Sequence, residues 1–158
     1  MSRVPRCLLL LLCALALAAC HRGLVKRVSE PAVSLQQVTV GADGRWRVEL
    51  RVQNYSSIPM RFEDIALAVT VGGQDAGTLR AAPGYSIGPE AADVVGVDFT
   101  PSANARMAVA DALAGAQPLP YTLKGTVRTT PDQQSARSFE LDMHSSLSAA
   151  PGLPGVLR

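Results

Sequence analysis

At 158 residues the chain has the length of one domain with room for a core of its own. Its 15 basic and 13 acidic side chains give a formal charge of +2, but Arg3 and Arg6 supply that surplus and the rest of the chain is balanced at 13 against 13. This balance excludes the basic footprint of a nucleic-acid binder and the polybasic cluster that draws a protein to anionic lipid.

The first predicted element is an export signal. Arg3 and Arg6 precede an apolar run of 12 residues, Leu8 to Ala19, that closes on small side chains. A positive start, a short apolar middle and a small-residue end define a secretory signal. A spanning helix needs roughly 20 residues, so this run directs export and is then removed. Leu17-Ala18-Ala19-Cys20 resembles the Leu-small-small-Cys box of bacterial lipoprotein signals. The resemblance implies cleavage before Cys20, leaving 139 of the 158 residues, with palmitate-type acyl chains on the Cys20 sulfur and amino group. Each buried methylene is worth about 0.8 kcal/mol, and two or more chains anchor a protein stably. The alternative is an ordinary secretory peptide with an incidental cysteine. Aspartate after the lipidated cysteine favours retention in the inner membrane, and His21 stands there instead. The resemblance therefore implies the outer membrane, reached through Cys20, with the domain facing the periplasm or, alternatively, displayed at the surface. Cys7 and Cys13 leave with the signal. No cysteine then remains for a disulfide, for thiol catalysis or for metal.

Residues 20–30 read as a tether closed by Pro31, with Arg22, Lys26 and Arg27 as its cations. Val33, Leu35 and Val38–Val40 form the first candidate strand, ended by the turn-rich Gly41-Ala42-Asp43-Gly44. Trp46, Val48, Leu50 and Val52 alternate with Arg47, Glu49, Arg51 and Gln53, which predicts a strand with one face inward and one in water. Tyr55–Pro59 is a loop. Ile65, Leu67, Val69 and Val71 form one face of a strand from Phe62 to Val71, and Gly72-Gly73 turns it into a hairpin with Gln74–Ala82. After a Pro/Gly-punctuated loop, Val95, Val97 and Phe99 point inward from a strand over Asp93–Thr100. Ser102–Ala114 is predicted helical, with Ser102 as N-cap, Gly115 as the stop, and Ala103, Met107, Ala110 and Leu113 or Ala114 on its core face. Tyr121, Leu123 and Val127 mark another strand; Phe139, Leu141 and Met143 mark the last. About seven strands at near-regular spacing and one helix predict a mainly β fold, an antiparallel β-sandwich over residues 31–146, with a small barrel as the alternative. The Ser/Pro/Gly-rich residues 147–158 read as a flexible tail.

Three stretches, in order, resemble the LEA type 2 family, also called the water-stress and hypersensitive-response (WHy) domain. They are Val48-Glu49-Leu50-Arg51-Val52-Gln53-Asn54, Leu67–Gly73 with the later Ala76-Gly77, and Tyr121-Thr122-Leu123-Lys124-Gly125. The family pattern is a strand into Asn-Pro-Asn, a long strand into a Gly turn with a later Gly, and Tyr-x-Leu-x-Gly. Asn54, Gly73, Gly77, Tyr121 and Gly125 fit it; Tyr55 and Ser56 depart from its Pro and Asn. The resemblance implies an immunoglobulin- or fibronectin-like sandwich with a helix, and a role in desiccation, cold or other stress. It transfers no catalytic residue.

The residues themselves point the same way. Asn54 fixes a turn by bonding its own backbone, with ligand binding as the alternative. Tyr121 and Gly125 serve packing within the sheet. Asp142 and His144 share one face of a strand, but zinc takes three or four ligands and the other histidine, His21, is in the tether. No metal or cofactor is therefore expected. Glu63-Asp64 reads as a solvated pair at a strand start, and no spacing sets Asp93 and Asp98 across a substrate. There is no Gly-x-Ser-x-Gly elbow, phosphate loop or dinucleotide fingerprint. Trp46 and the Met107 face of the helix read as core rather than as partner anchors. The chain reads as a non-enzyme acting in envelope or desiccation protection; the alternative is a module that binds a lipid or an envelope protein.

Overall fold

The computed structural model describes residues 26–158. The export signal with Leu17, Ala18, Ala19 and Cys20 lies outside the described residues. Along the described chain run nine strands and one helix: β1 (Ala32–Val40), β2 (Trp46–Gln53), β3 (Met60–Val71), β4 (Gln74–Ala81), β5 (Tyr85–Ile87), β6 (Ala92–Phe99), α1 (Ala103–Gly115), β7 (Leu119–Pro131), β8 (Arg137–Leu147) and β9 (Val156–Leu157). One sheet has the order β6-β2-β1-β9; the other has β4-β3-β7-β8, with β5 beside β4 on the same edge of β3. All pairings are antiparallel. The fold is an antiparallel β-sandwich, and its interior is filled by Leu50, Met60, Phe62, Leu67 and Leu123, each fully buried.

The alternation of β2 is carried into the structure intact: Trp46, Val48, Leu50 and Val52 are buried, while Arg47 and Arg51 face water. Three other strands change phase. In β1, Val33 and Leu35 point inward, and so does Val38; the slip of one falls where Leu35 pairs with Leu50 and Gln37 with Glu49, leaving Gln36 as an extra residue. In β3 the inward set shifts from Met60 and Phe62 to Ile65, Leu67, Val69 and Val71, with Glu63 as the extra residue. In β4 it shifts from Ala76 to Leu79, the irregularity falling between Val69 and Thr70 of the facing strand. Each slip is a β-bulge, which inserts a residue so that the next apolar side chain returns to the core.

The turns follow the sequence at Gly72-Gly73. Both residues have positive φ, +55° and +76°, the conformation that a two-residue type I′ hairpin requires. Gly125 is needed for a different reason: a Cβ there would overlap the Ala66 carbonyl oxygen of the neighbouring strand.

Four expectations are corrected. Residues 147–158 are not a loose tail. Leu157 is fully buried, β9 pairs with Val38 and Thr39 of β1, and Ser148 and Arg158 exchange backbone hydrogen bonds. The glycines and prolines there form the turn that brings β9 back against the sheet. The described part of the tether, residues 26–30, is likewise seated on the domain: Arg27 N–H donates to Ser57 Oγ (2.8 Å), and Ser29 N–H to Ser56 Oγ (2.9 Å). Helix α1 turns a different face inward, Ala105, Val109 and Ala112, and leaves Met107 66% exposed. Small side chains let the helix approach the sheet closely; Ala108 reaches Gly72 at the hairpin tip. Ser102 is the N-cap, accepting from Ala105 N–H, but the helix runs through Gly115 and Ala116 takes the left-handed position.

The strands give the sandwich two unlike ends. One carries the loops 54–59, 82–91 and 132–136 together with the entering residues 26–30; the other carries α1, the Gly72-Gly73 hairpin and β9. Leu50 lies between the sheets, away from both. Leu50→Asp places an unpaired carboxylate there, at a cost of several kcal/mol or more, comparable with the whole stability of a small domain. The variant is expected to lose the β-sheet circular-dichroism signal and cooperative unfolding; a native spectrum would overturn the inward assignment of β2.

Candidate functional site

The densest polar constellation in the described domain surrounds Asn54, directly after β2. Its side chain is fully buried. The Nδ2 amide donates to Ile58 O (2.9 Å), Ile87 O (3.1 Å) and Gly88 O (2.8 Å), so its two hydrogens serve three carbonyls. Its Oδ1 accepts from Ser56 N–H (2.8 Å), an Asx turn. Its own N–H donates to Ala91 O (2.8 Å). One side chain thus ties the β2–β3 connection to the segment between β5 and β6. Tyr55 and Ser56 depart from the family pattern, yet the turn closes: Asn54 supplies the turning bond, and Ser56 needs only its N–H to complete it. Ser56, buried beneath Tyr55, also accepts from Ser29 N–H and so joins the entering segment to the same knot. Ser56 was not singled out in the sequence, because a serine in a loop carries no signal of burial.

The other family-motif residues lie apart from Asn54. Tyr121 is buried in β7 and reaches across the interior, where its hydroxyl accepts from Leu35 N–H (3.2 Å) at the β1 bulge. Gly73 and Gly77 (φ +112°) belong to the hairpin end, and Asp75 Oδ1 accepts from Gly77 N–H. Gly125 sits mid-strand against Ala66. Asn54, Tyr121, Gly73, Gly77 and Gly125 therefore occupy five separate places and line no common pocket. Each holds backbone to backbone.

The charged groups are at the surface. Asp142 bonds Lys124 Nζ (3.1 Å) on the neighbouring strand and His144 Nε2 (2.9 Å) on its own. The Lys124 ammonium, with His144 adding to it, holds the Asp142 carboxyl below its ordinary value. Asp142 and His144 share a strand face, but no group of three or more metal-ligating side chains occurs among the described residues. Glu63 is not the solvated residue its position suggested. As the bulge residue of β3 it pairs with Arg128 (3.1 Å) and accepts from Thr130 Oγ1 (2.7 Å). Asp98 pairs with Arg47 (2.9 Å), and Asp93 accepts from Val94 N–H (2.7 Å) on the edge strand β6. Burial and the nearby Asp93 raise the Tyr85 hydroxyl above its ordinary value. These carboxylates do not face one another across a cleft. Trp46 is core, 2% exposed, with its ring 5.9 Å from that of Phe99. Open surface clefts lie beside Met107 and Gly72, between Leu113 and Leu153, and beside Ile65 and Arg80 among the described residues.

Asn54 is the polar residue with most at stake. Asn54→Ala leaves three buried carbonyls and the Ser56 N–H unpaired, at about 2–4 kcal/mol in total. The urea midpoint is expected to fall with unchanged slope; a loss within error of zero would remove the knot from the account of stability.

Three solved structures resemble the chain in outline. They are a crystal structure of a protein from Archaeoglobus fulgidus (TM-score 0.41, 8% identity, covering 76% of this chain and 97% of that one), a solution structure of an Arabidopsis thaliana protein (0.46, 11%, 78% and 80%), and a solution structure of a protein described as late embryogenesis abundant (0.49, 14%, 90% and 77%). No curated protein sequence matches. The model of the family described as Late embryogenesis abundant protein, LEA_2, matches residues 49–142, from within β2 to within β8. That match spans more than half of the chain, and the chain belongs to the LEA_2 family of late embryogenesis abundant proteins.

Proposed function

We propose that this protein is a lipoprotein, anchored through acylated Cys20 in the outer membrane and facing the periplasm, whose LEA type 2 domain protects the envelope during desiccation or related stress without catalysis. The family match over residues 49–142 is the observation that carries the protective role, and the Leu17-Ala18-Ala19-Cys20 box supports the anchor. The disposition of polar groups supports it. Asn54 and Ser56, both fully buried, bond chiefly to loop backbone, and the carboxylates sit at the surface in ion pairs or local hydrogen bonds. A catalytic site needs convergent groups with shifted ionisation in a cleft, and the geometry around Asp142, Glu63 and Asp98 is of another kind. Protection asks for a soluble, charged outer surface, and the outward faces of β2 and β7 supply Arg47, Glu49, Arg51, Lys124 and Arg128.

The second reading, a lipid carrier, needs an interior cavity of roughly 300 Å³ or more. The space between the sheets is occupied by Leu50, Phe62, Leu67 and Leu123, which favours a surface role over sequestration of an acyl tail.

Two measurements test the proposal. A labile enzyme freeze-dried with an equimolar amount of this protein is expected to retain more activity than one dried with serum albumin; equal retention would remove the protective role. Cys20→Ala is expected to give an unprocessed or soluble product in cell fractionation; normal processing and unchanged membrane association would rule out acylation as the anchor.

A further inference from the structure

We infer that the loop end of the sandwich carrying Tyr55 docks on the surface of the bilayer in which the protein is anchored. The inference rests on the proposed acylation of Cys20 and adds an orientation to it. It starts from where the chain enters the domain. Lys26 Nζ donates to Gln133 Oε1 (2.7 Å), Arg27 N–H to Ser57 Oγ (2.8 Å), and the Arg27 guanidinium to Tyr55 O (3.3 Å) and Glu90 (3.4 Å). These bonds fix the point of entry at the end formed by the loops 54–59, 82–91 and 132–136. Helix α1 and β9 stand at the opposite end.

Length then restricts the geometry. Six Cα steps separate Cys20 from Lys26. Fully extended, they span about 20 Å. An acylated Cys20 lies at the headgroups, so the loop end stays within that distance of the membrane however the domain turns. The helix end lies about 40 Å from the loop end along the 12 residues of β3, and comes near the bilayer only when the domain lies on its side. A surface held this close meets the bilayer at high effective concentration, so a contact too weak to recruit a free protein suffices to orient a tethered one.

The chemistry at the tip matches a headgroup layer. Tyr55 is 50% exposed there, although its neighbours Asn54 and Ser56 are fully buried. The buried pair holds the backbone so that the ring projects outward. Tyrosine rings with one apolar and one wet end settle at the membrane–water interface. At the same end, Lys26, Arg27, Arg61 and Arg137 are exposed, as are Glu30, Glu90 and Asp132. Four cations against three carboxylates leave this end close to neutral, which suits the paired charges of zwitterionic headgroups more than a strongly anionic surface. The docking is therefore carried by the aromatic contact and depends little on salt.

The test uses the full chain made in a bacterial host, with acylation of Cys20 verified by mass spectrometry of the N-terminal peptide. The protein is reconstituted into vesicles of phosphatidylethanolamine and phosphatidylglycerol that contain a headgroup-quencher lipid. A fluorophore is placed on Asp132→Cys at the loop end or on Met107→Cys at the helix end. The Asp132 position is expected to be quenched severalfold more than the Met107 position, at low and high salt alike. Adding Tyr55→Ser is expected to reduce that difference; Tyr55→Lys serves if serine disturbs the loop. Equal quenching at the two positions, stronger quenching at Met107, or indifference to Tyr55 overturns the docking while leaving acylation intact. An unacylated Cys20 overturns both.

Discussion

At the loop end of the sandwich, the passages of the chain between the sheets depend on a single buried carboxamide. A β-sandwich needs connections that leave one sheet and enter the next, and each such connection takes backbone out of the ladders. Buried backbone groups without partners cost as much as lost hydrogen bonds. Between β2 and β3 that problem falls on Asn54, which supplies the amide hydrogens for Ile58, Ile87 and Gly88 and the acceptor for Ser56. The interior beneath it is mostly apolar, with the Thr129 side chain among its few buried polar groups. Tyr121 does the corresponding work at the opposite face, where a bulge in β1 frees Leu35 N–H and the phenol oxygen receives it. With no cysteine beyond Cys20, these two polar bridges and the apolar packing hold the sheets together.

Much of this architecture was legible in the sequence because it rests on periodicity. The alternation of β2 and the Gly72-Gly73 turn were read directly, and the helix cap at Ser102 follows from the switch to helical spacing. The bulges were legible in a subtler way. Val33, Leu35 and Val38 cannot share one face of a regular strand, and neither can Phe62 and Ile65; the extra residue is the physical resolution. The misreadings have a common cause as well. Helical spacing alone points to the face of Ala103, Met107 and Ala110, but close docking on the sheet selects Ala105, Val109 and Ala112. The last residues read as loose because Gly and Pro dominate them, and local composition says nothing about a partner strand more than a hundred residues earlier.

The constellations with chemical appeal in the sequence separate into surface pairs once folded. Asp142 and His144 share a face, as two residues apart in a strand must, but their third partner is Lys124, a competitor for the carboxylate and not a metal ligand. Glu63 is drawn into a bulge by Arg128 and Thr130. In contrast, the five family-motif positions, dispersed through the fold, each secure a turn, a bulge or a close strand approach. The family pattern in this chain is a record of backbone geometry.

The seating of β9 against β1 bears on when the domain can close. Val38 and Thr39 find their partners in Leu157 and Val156, across almost the full length of the described chain. Contacts of such sequence separation form late and slowly, because the loop they close must first be brought together. Until Leu157 arrives, one side of the β1 edge and part of the interior stay open. In any intermediate still being synthesised, the sandwich therefore lacks the strand that completes this edge.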